Sequence, residues 1–328
     1  MSLPLEALRY DVTPVGLHYT LSHFDIPVLD AASYRLAVHD RSFSLDELRA
    51  LPHRTLRVTL ECAGNGRAGF APRYPSMPWT HGGVGTAEWT GVSLKDVLRS
   101  IPVGKEIREI AFLGADRGFD SGVEHAFGRS LSVEDAMRPE VLLAWAMNGA
   151  PLAPQHGAPL RLVVPGWFGM ASVKWLSRIA LLERPFDGYQ QVVGYRYVRQ
   201  RGERGTPVRH ARVKSLIAPP GIPDWYTGRR LLDEGPVEIQ GRAWSGAGTA
   251  VTRVELAVDG EWRSAELEPQ RERFAWQRWR ARWDAQRGEH ELACRATDAA
   301  GATQPLEPDW NVGGMGNNAV QRIRVSVR

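Results

Sequence analysis

The sequence predicts an α+β protein in two parts, a domain of mixed α/β character over residues 1–215 and an all-β sandwich over residues 216–328. Three observations support this prediction. A length of 328 residues exceeds the usual size of one domain and fits about two. Helix-like and strand-like patterns are mixed in the first part. Only short alternating runs separated by turn residues follow in the second part.

The first part contains both kinds of pattern. Leu56–Leu60 alternates apolar and polar residues as a strand does, and Leu160–Val164 has a similar pattern. Ser93–Arg99 and Ser132–Trp145 have helical spacing, and each begins with a serine of the type that caps a helix. We therefore expect strands and helices side by side in this domain.

A basic stretch between residues 195 and 214 leads to the turn at Pro219–Gly221. Its cations are Arg196, Arg199, Arg201, Arg204, Arg209, Arg212 and Lys214. Charge runs usually lie on a solvated face, which favours an interdomain linker over the alternative, a docking site for an acidic redox partner.

The second part consists of short alternating runs. They are Val237–Trp244, Val251–Val258, Phe274–Trp283, His290–Thr297 and Val320–Val327. Their spacing predicts a β-sandwich, and Asp259–Gly260 predicts a hairpin turn. The arginines and tryptophans of Arg271–Trp283 could stack on bases and bind phosphates, but we expect no nucleic acid at a net charge of +4.

The composition restricts the class of protein further. The 41 Lys and Arg residues nearly balance 37 Asp and Glu residues, and 43% of the chain is hydrophobic, as in ordered globular proteins. Two cysteines in different halves exclude a disulfide framework and favour a reducing compartment. The residues Met1–Glu6 show no basic leader, and no later segment has the length of a membrane span. We therefore expect a cytoplasmic protein with no membrane segment.

A glycine pattern follows the strand Leu56–Leu60. Gly64–Gly69 fits G-x-G-x-x-G, the fingerprint of dinucleotide-binding loops. That fingerprint must open a helix, but Pro72, Pro75 and Pro78 follow at once. The pattern therefore does not predict a Rossmann site.

Cys62 lies just beyond the same strand, next to small residues and close to Arg67. Small neighbours let a ligand approach, and a nearby cation favours the thiolate, which is a soft metal ligand. One cysteine alone cannot hold a metal. Cys62 is therefore the ligand of a metal whose cofactor brings further ligands, or a nucleophile, or a buried core residue.

A second cluster runs from Met147 to Gly157 and leads into the strand Pro159–Gly166. His156 and Arg161 could meet a phosphate there, and Lys174 could join them. The alternative is that Arg161 and Lys174 are solvated ends of strands.

Taken together, these segments resemble the sulfite oxidase family. The molybdenum domain of that family is matched by E-C-A-G-N-G-R, W-A-M-N-G-A-P-L-A-P-Q-H-G-A-P-L-R-L-V-V-P-G and S-V-K-W-L, in this order. Its immunoglobulin-like dimerisation domain is matched by G-R-A-W-S-G at 241–246, E-L-A-C-R-A-T-D at 291–298 and P-D-W-N at 308–311. The resemblance runs from about residue 17 to the C-terminus.

The resemblance implies a molybdenum-molybdopterin cofactor (Moco), whose dithiolene and one protein thiolate hold the metal. Cys62 matches that thiolate, whereas Cys294 matches a buried structural cysteine of the sandwich. The residues that match cofactor-binding positions are His23, Cys62, Asp116, Ser130, His156, Arg161 and Lys174. Arg67 and Trp79 match two residues of the family's sulfite pocket.

Other pocket positions depart from the family. Leu21 and Gly313 stand where the family has arginines, and we align Phe186 with the pocket tyrosine. Charge-assisted hydrogen bonds to a dianion are worth about 1.5–3 kcal/mol each, so their loss makes sulfite a doubtful substrate.

The resemblance implies an oxidoreductase that transfers an oxo group while molybdenum cycles between Mo(VI) and Mo(IV). The alternatives are an S-oxide or N-oxide reductase on the same fold and a non-enzymatic cofactor-binding relative. The chain contains neither the C-x-x-C-H of a c-type haem nor the H-P-G-G of a cytochrome b5 domain, so we expect a separate electron-transfer partner. The family resemblance also implies a homodimer.

Overall fold

Strands build most of the molecule in the computed structural model, which describes residues 1–328. The α-helices are three short segments, Leu45–Arg49, Leu94–Leu98 and Val133–Ala136. The remaining helical turns are the 3-10 segments Leu5–Arg9, Val15–Leu17, Arg67–Gly69, Pro154–His156 and Gly169–Ala171, and the π-helical turn Gln190–Gly194. None of these helices has the length and apolar character that crossing a bilayer requires.

Two five-stranded sheets form the first domain. The strands of one sheet are, in spatial order, Arg41–Ser44, Arg35–Val38, Leu176–Leu182, Glu109–Asp120 and Val123–Ser132. The other contains His53–Glu61, Val84–Ser93, Leu142–Met147 and Ala150–Pro151, and Arg161–Val163 also pairs with Leu142–Met147. Only Arg35–Val38 and Leu176–Leu182 pair in parallel in these sheets, because the chain between them forms the rest of the domain.

The predicted helix Ser132–Trp145 is wrong over most of its length. A helix begins after Ser132, whose hydroxyl caps it by accepting a hydrogen bond from the Asp135 amide, but it ends at Ala136. Leu142–Met147 is instead a strand between two neighbours in its sheet, and Leu142 and Leu143 are fully buried. A strand buried on both faces shows a continuous apolar run, which periodicity cannot distinguish from a buried helix.

The predicted all-β sandwich of the second part is confirmed, whereas the first part holds less helix than predicted. One sheet of the sandwich contains Lys214–Ile217, Gly235–Trp244, Gln277–Ala285 and Glu266–Leu267. The other contains Ile222–Pro223, Arg230–Leu232, Gln321–Val327, Gly288–Asp298, Val251–Val258 and Glu261–Ser264. Trp279, Leu256 and Cys294 are fully buried between them, so the aromatic run is a sandwich strand with its tryptophan in the core.

The segment that joins the domains is ordered by pairing of its own. Arg196–Tyr197 pairs with Thr206–Pro207 in a short hairpin, and the arginines of the intervening loop are exposed. The predicted boundary between residues 215 and 216 falls inside the strand Lys214–Ile217, which belongs to the sandwich. Asp259 and Gly260 adopt positive φ angles of 50° and 88° and connect the predicted hairpin.

Candidate functional site

A cavity of about 670 Å³, including its mouth, is lined by residues from both sheets of the first domain. The predicted site residues that line it are His23, Cys62, Asp116, His156, Arg161 and Lys174. They come from distant segments of the chain, and the fold alone brings them together.

Cys62 enters the cavity at the end of the strand His53–Glu61. Its amide donates to the Gly83 carbonyl at 2.8 Å, and the residue is only 8% exposed. Burial raises the pKa of the Cys62 thiol, while the Gly64 amide and the Arg67 charge oppose that rise. The thiol is therefore protonated at neutral pH without a ligand, and binding a metal would release its proton.

The turn that follows, residues 61–67, is called the Cys62 loop below. Gly66 has a φ of 87°, and a Cβ at Gly64 would lie 2.6 Å from the Arg67 guanidinium. Gly66 is therefore required by the left-handed backbone conformation of the loop, whereas a side chain at position 64 would displace the end of the Arg67 side chain.

Arg161 is held rigidly against the cavity. Its guanidinium donates to the carbonyls of His156 at 2.9 Å and Ser172 at 3.0 Å, and it lies 4.7 Å from the centre of the Trp89 ring. Burial lowers its pKa to about 10, so it remains a cation at neutral pH.

Lys174 ties several wall segments together. Its Nζ donates to the Leu21 carbonyl and Ser22 hydroxyl at 2.9 Å and to the Gln155 carbonyl at 3.0 Å. Burial, followed by the Arg161 charge, lowers the pKa of Lys174 to about 7. The cation is therefore close to titration at neutral pH, and a bound anion would favour its charged form.

Several buried polar atoms of the wall have no partner. They are Nε2 of His18, Nε2 of His156 and Oδ1 of Asp116. Burial lowers the pKa of His156 to about 4 and of His18 to about 3, so both rings are neutral, and burial raises the pKa of Asp116 to about 6. Unpaired buried polar atoms are costly, so this wall fits a ligand rich in hydrogen-bonding groups.

Tyr195 is a cavity residue that the sequence reasoning missed. Its hydroxyl lies 2.8 Å from Nε2 of His23, and burial raises its pKa well above the usual range. The guanidinium of Arg129 lies 5.5 Å from the centre of the Tyr195 ring. Phe186, which we had aligned with the pocket tyrosine, does not line the cavity, and its amide donates to Glu109. The tyrosine that the structure brings to the cavity is therefore Tyr195.

His18 and Tyr19 were also missed. They line the cavity and stack with ring centres 5.1 Å apart, but they lie in a segment without regular strands, where no periodicity indicates which way a side chain points.

Three predicted residues lie outside the cavity wall. Ser130 donates to Glu109 at 2.7 Å and accepts from Gln191. Arg67 donates to the carbonyls of Gly313 at 3.1 Å and Met77 at 3.2 Å. Trp79 packs edge-on against the cavity residue Tyr19, with ring centres 6.1 Å apart. Trp79 thus supports a wall residue from behind, whereas the hydrogen-bond partners of Arg67 and Ser130 are not residues of the cavity wall.

Each of the two domains matches a known protein family. Residues 23–190 match the family described as "Oxidoreductase molybdopterin binding domain". Residues 208–328 match the family described as "Mo-co oxidoreductase dimerisation domain". The cavity residues named above lie within the first match, apart from His18, Tyr19, Leu21, Ser22 and Tyr195.

Known proteins resemble the chain over nearly its whole length. Mitochondrial sulfite oxidase of Rattus norvegicus is 35% identical over 96% of this chain and 62% of the rat protein. Nitrate reductase [NADH] 2 of Phaseolus vulgaris is 31% identical over 99% of this chain and 40% of the bean protein. The chain thus spans less than two thirds of either relative.

A solved structure agrees with these matches. The sulfane dehydrogenase SoxCD from Paracoccus pantotrophus superposes with a TM-score of 0.83 at 28% identity, over 99% of this chain and 85% of that chain. The order of the two domains, the sequence matches and the solved structure lead to one conclusion. The chain belongs to the sulfite oxidase family of molybdopterin-binding oxidoreductases.

Proposed function

We propose that this protein is a molybdenum-dependent oxidoreductase that uses the Cys62 thiolate as the protein ligand of the metal. The observation that carries the proposal is the convergence of Cys62, two cations and several unpartnered polar atoms on one cavity. A thiolate suits a soft metal, and cations with polar donors suit the phosphate and ring of a pterin. When bound, the cofactor supplies oxo transfer with a two-electron change at molybdenum.

The chain would contribute binding, orientation and electrostatics. Arg161, fixed by two carbonyls and the Trp89 ring, and Lys174 would neutralise a phosphate. Asp116 and His156 would satisfy their unpaired atoms on the ligand. Tyr195, kept protonated by burial, would donate a hydrogen bond from its hydroxyl to a substrate oxygen.

The substrate we propose is a small sulfur or nitrogen oxo compound with less charge than the sulfite dianion. Leu21 lines the cavity where an arginine would add a cation, and Gly313 offers only its carbonyl, which accepts from Arg67. These two positions support an S-oxide or N-oxide reductase as the second candidate. The protonated hydroxyl of Tyr195 in the cavity supports an anion-binding pocket that is weakened but not removed.

The remaining parts of the proposal concern partners and location. Electrons would pass to or from a separate carrier, and the dimerisation domain would form a homodimer. We propose the cytoplasm as the location because both cysteines are buried free thiols. We place the boundary between the two domains in the stretch before the strand Lys214–Ile217.

Metal and pterin analysis of the purified protein, followed by steady-state assays, tests the proposal. We expect one molybdenum per chain, weak or absent sulfite oxidation and faster turnover of a sulfoxide or N-oxide. A protein that binds pterin but turns over no compound of the panel would favour the non-enzymatic alternative. A low micromolar KM for sulfite would contradict the substrate assignment.

A further inference from the structure

A buried ion pair joins the sandwich to the Cys62 loop. Nζ of Lys214 lies 3.0 Å from Oε1 of Glu61, and the two side chains are 1% and 3% exposed. Lys214 begins the strand Lys214–Ile217 of the sandwich, and Glu61 is the residue directly before Cys62. The pair therefore connects the two domains at the metal-ligating position.

Both carboxylate oxygens of Glu61 are fully engaged. Oε1 also accepts from Nδ2 of Asn65 at 2.9 Å, and Oε2 accepts from Nε1 of Trp244 at 2.9 Å. Lys214 donates in addition to the Asn317 carbonyl at 2.7 Å. A buried charge pair contributes little net stability, but it holds its groups firmly once every hydrogen bond is satisfied.

The segment that precedes the last strand of the sandwich holds the rest of the loop. Nδ2 of Asn317 donates to the Gly66 carbonyl at 2.8 Å, and the Gly316 amide donates to the Ala63 carbonyl at 2.7 Å. Both ends of the Cys62 loop are thus fixed by sandwich residues.

We infer that Lys214 and Glu61 are positioning residues that hold the Cys62 loop, so that the sandwich domain is a structural part of the metal site. Partners that orient a metal ligand usually affect affinity and the electronic properties of the metal. The consequence for the metal rests on the proposed function, whereas the positioning of the loop does not.

Alkylation of Cys62 by iodoacetamide in cofactor-free protein, followed by peptide mass spectrometry, tests the positioning. Glu61→Gln and Lys214→Gln each leave one buried charge unpaired, and both should raise the population of the open loop and the alkylation rate roughly 10- to 100-fold. The double variant E61Q/K214Q retains an amide pair without charge and should return close to the original rate. Cys294, fully buried in the sandwich core, reports unfolding in the same sample.

The charges of Glu61 and Lys214 also shift the pKa of the Cys62 thiol directly. This direct effect has opposite signs in the two single variants. Glu61 raises and Lys214 lowers the pKa of Cys62, so electrostatics alone would speed alkylation in E61Q and slow it in K214Q. Slower alkylation in K214Q would therefore overturn the inference, as would no change in either single variant. Acceleration in both, with recovery in the double variant, supports it.

Two further variants complete the design. Asp11→Asn breaks the interdomain ion pairs with Arg242 and Arg278, 2.9 and 3.0 Å long, without touching the loop. This variant should leave the alkylation rate of Cys62 unchanged. An acceleration equal to that of the charge variants would mean that any loosening of the domain contact exposes Cys62, and would contradict a specific role of the Glu61–Lys214 pair. If the charge variants do not fold, Asn317→Ala removes the contact to Gly66, together with the hydrogen bond that its Oδ1 accepts from the Ala319 amide, and leaves the Lys214 pair intact. It should still accelerate alkylation, and an unchanged rate would contradict the inference.

In molybdenum-loaded protein, the electron paramagnetic resonance signal of the partly reduced metal should shift in the single variants and recover in the double variant. If alkylation is faster but the signal does not shift, the positioning of the loop is supported and its effect on the metal is refuted. A protein that binds no molybdenum would refute the proposed function and leave the alkylation result standing.

Discussion

Leu21→Arg should convert the protein toward a sulfite oxidase. Leu21 lines the cavity and its carbonyl accepts from Lys174, so the substitution adds a cation at the cavity wall without removing that backbone contact. Arg67, the matched arginine of the family's pocket, has two of its N–H groups committed to the carbonyls of Gly313 and Met77, which limits its use as an anion site. The new guanidinium would supply the missing contact.

The size of the effect follows from one added contact. A charge-assisted hydrogen bond is worth about 1.5–3 kcal/mol, which corresponds to roughly 10- to 150-fold in Kd. The KM for sulfite should fall by this factor, and the gain should shrink at high salt because the contact is ionic.

Steady-state assays at equal molybdenum content measure the effect, with Leu21→Met as the neutral control of similar volume. The KM for an uncharged sulfoxide should not fall. An unchanged sulfite KM in L21R, or an equal fall in L21M, would show that charge at this position does not limit sulfite binding.

Three other predictions concern the cofactor and the assembly. Cys62→Ser should abolish turnover yet retain pterin through its phosphate contacts, so full activity in this variant would exclude the ligand assignment. Because burial lowers the pKa of Lys174 to about 7, its charge is present below pH 7 and lost above it. Pterin retention on gel filtration should therefore fall from pH 6 to pH 8, and Lys174→Arg should remove this dependence. Sedimentation of the holo-protein at micromolar concentration should show a dimer, and a clean monomer of 36.5 kDa would contradict it.

The second domain was the more predictable part of the fold. Val251–Val258 was predicted with the bounds that the structure shows, because buried apolar residues such as Val254 and Leu256 recur among polar residues that are exposed, such as Thr252 and Arg253. Leu142–Met147 was mistaken for helix because neighbours cover both of its faces. Alternation of apolar and polar residues identifies strands that are buried on one face only. A strand buried on both faces has no such alternation and cannot be identified in this way.

The site residues that could be predicted from the sequence are those with distinctive side-chain chemistry in a recognisable motif. Cys62 and Arg161 stand in distinctive motifs, and the structure brings both to one cavity. Tyr195 was missed because it lies in a segment without a clear apolar pattern. In addition, Phe186 was the aromatic residue that we aligned with the family's pocket tyrosine. Only the three-dimensional path of the chain shows which of the two meets His23.

The ion pair between Lys214 and Glu61 also bears on how such proteins recombine. A gene fusion that supplied a different sandwich would replace Lys214 with the first residue of the incoming strand. If that residue were uncharged, the Glu61 carboxylate would be buried without an ion-pair partner. The two domains are therefore not interchangeable modules. A viable exchange must carry the first strand of the sandwich and the segment around Asn317 as one inherited block.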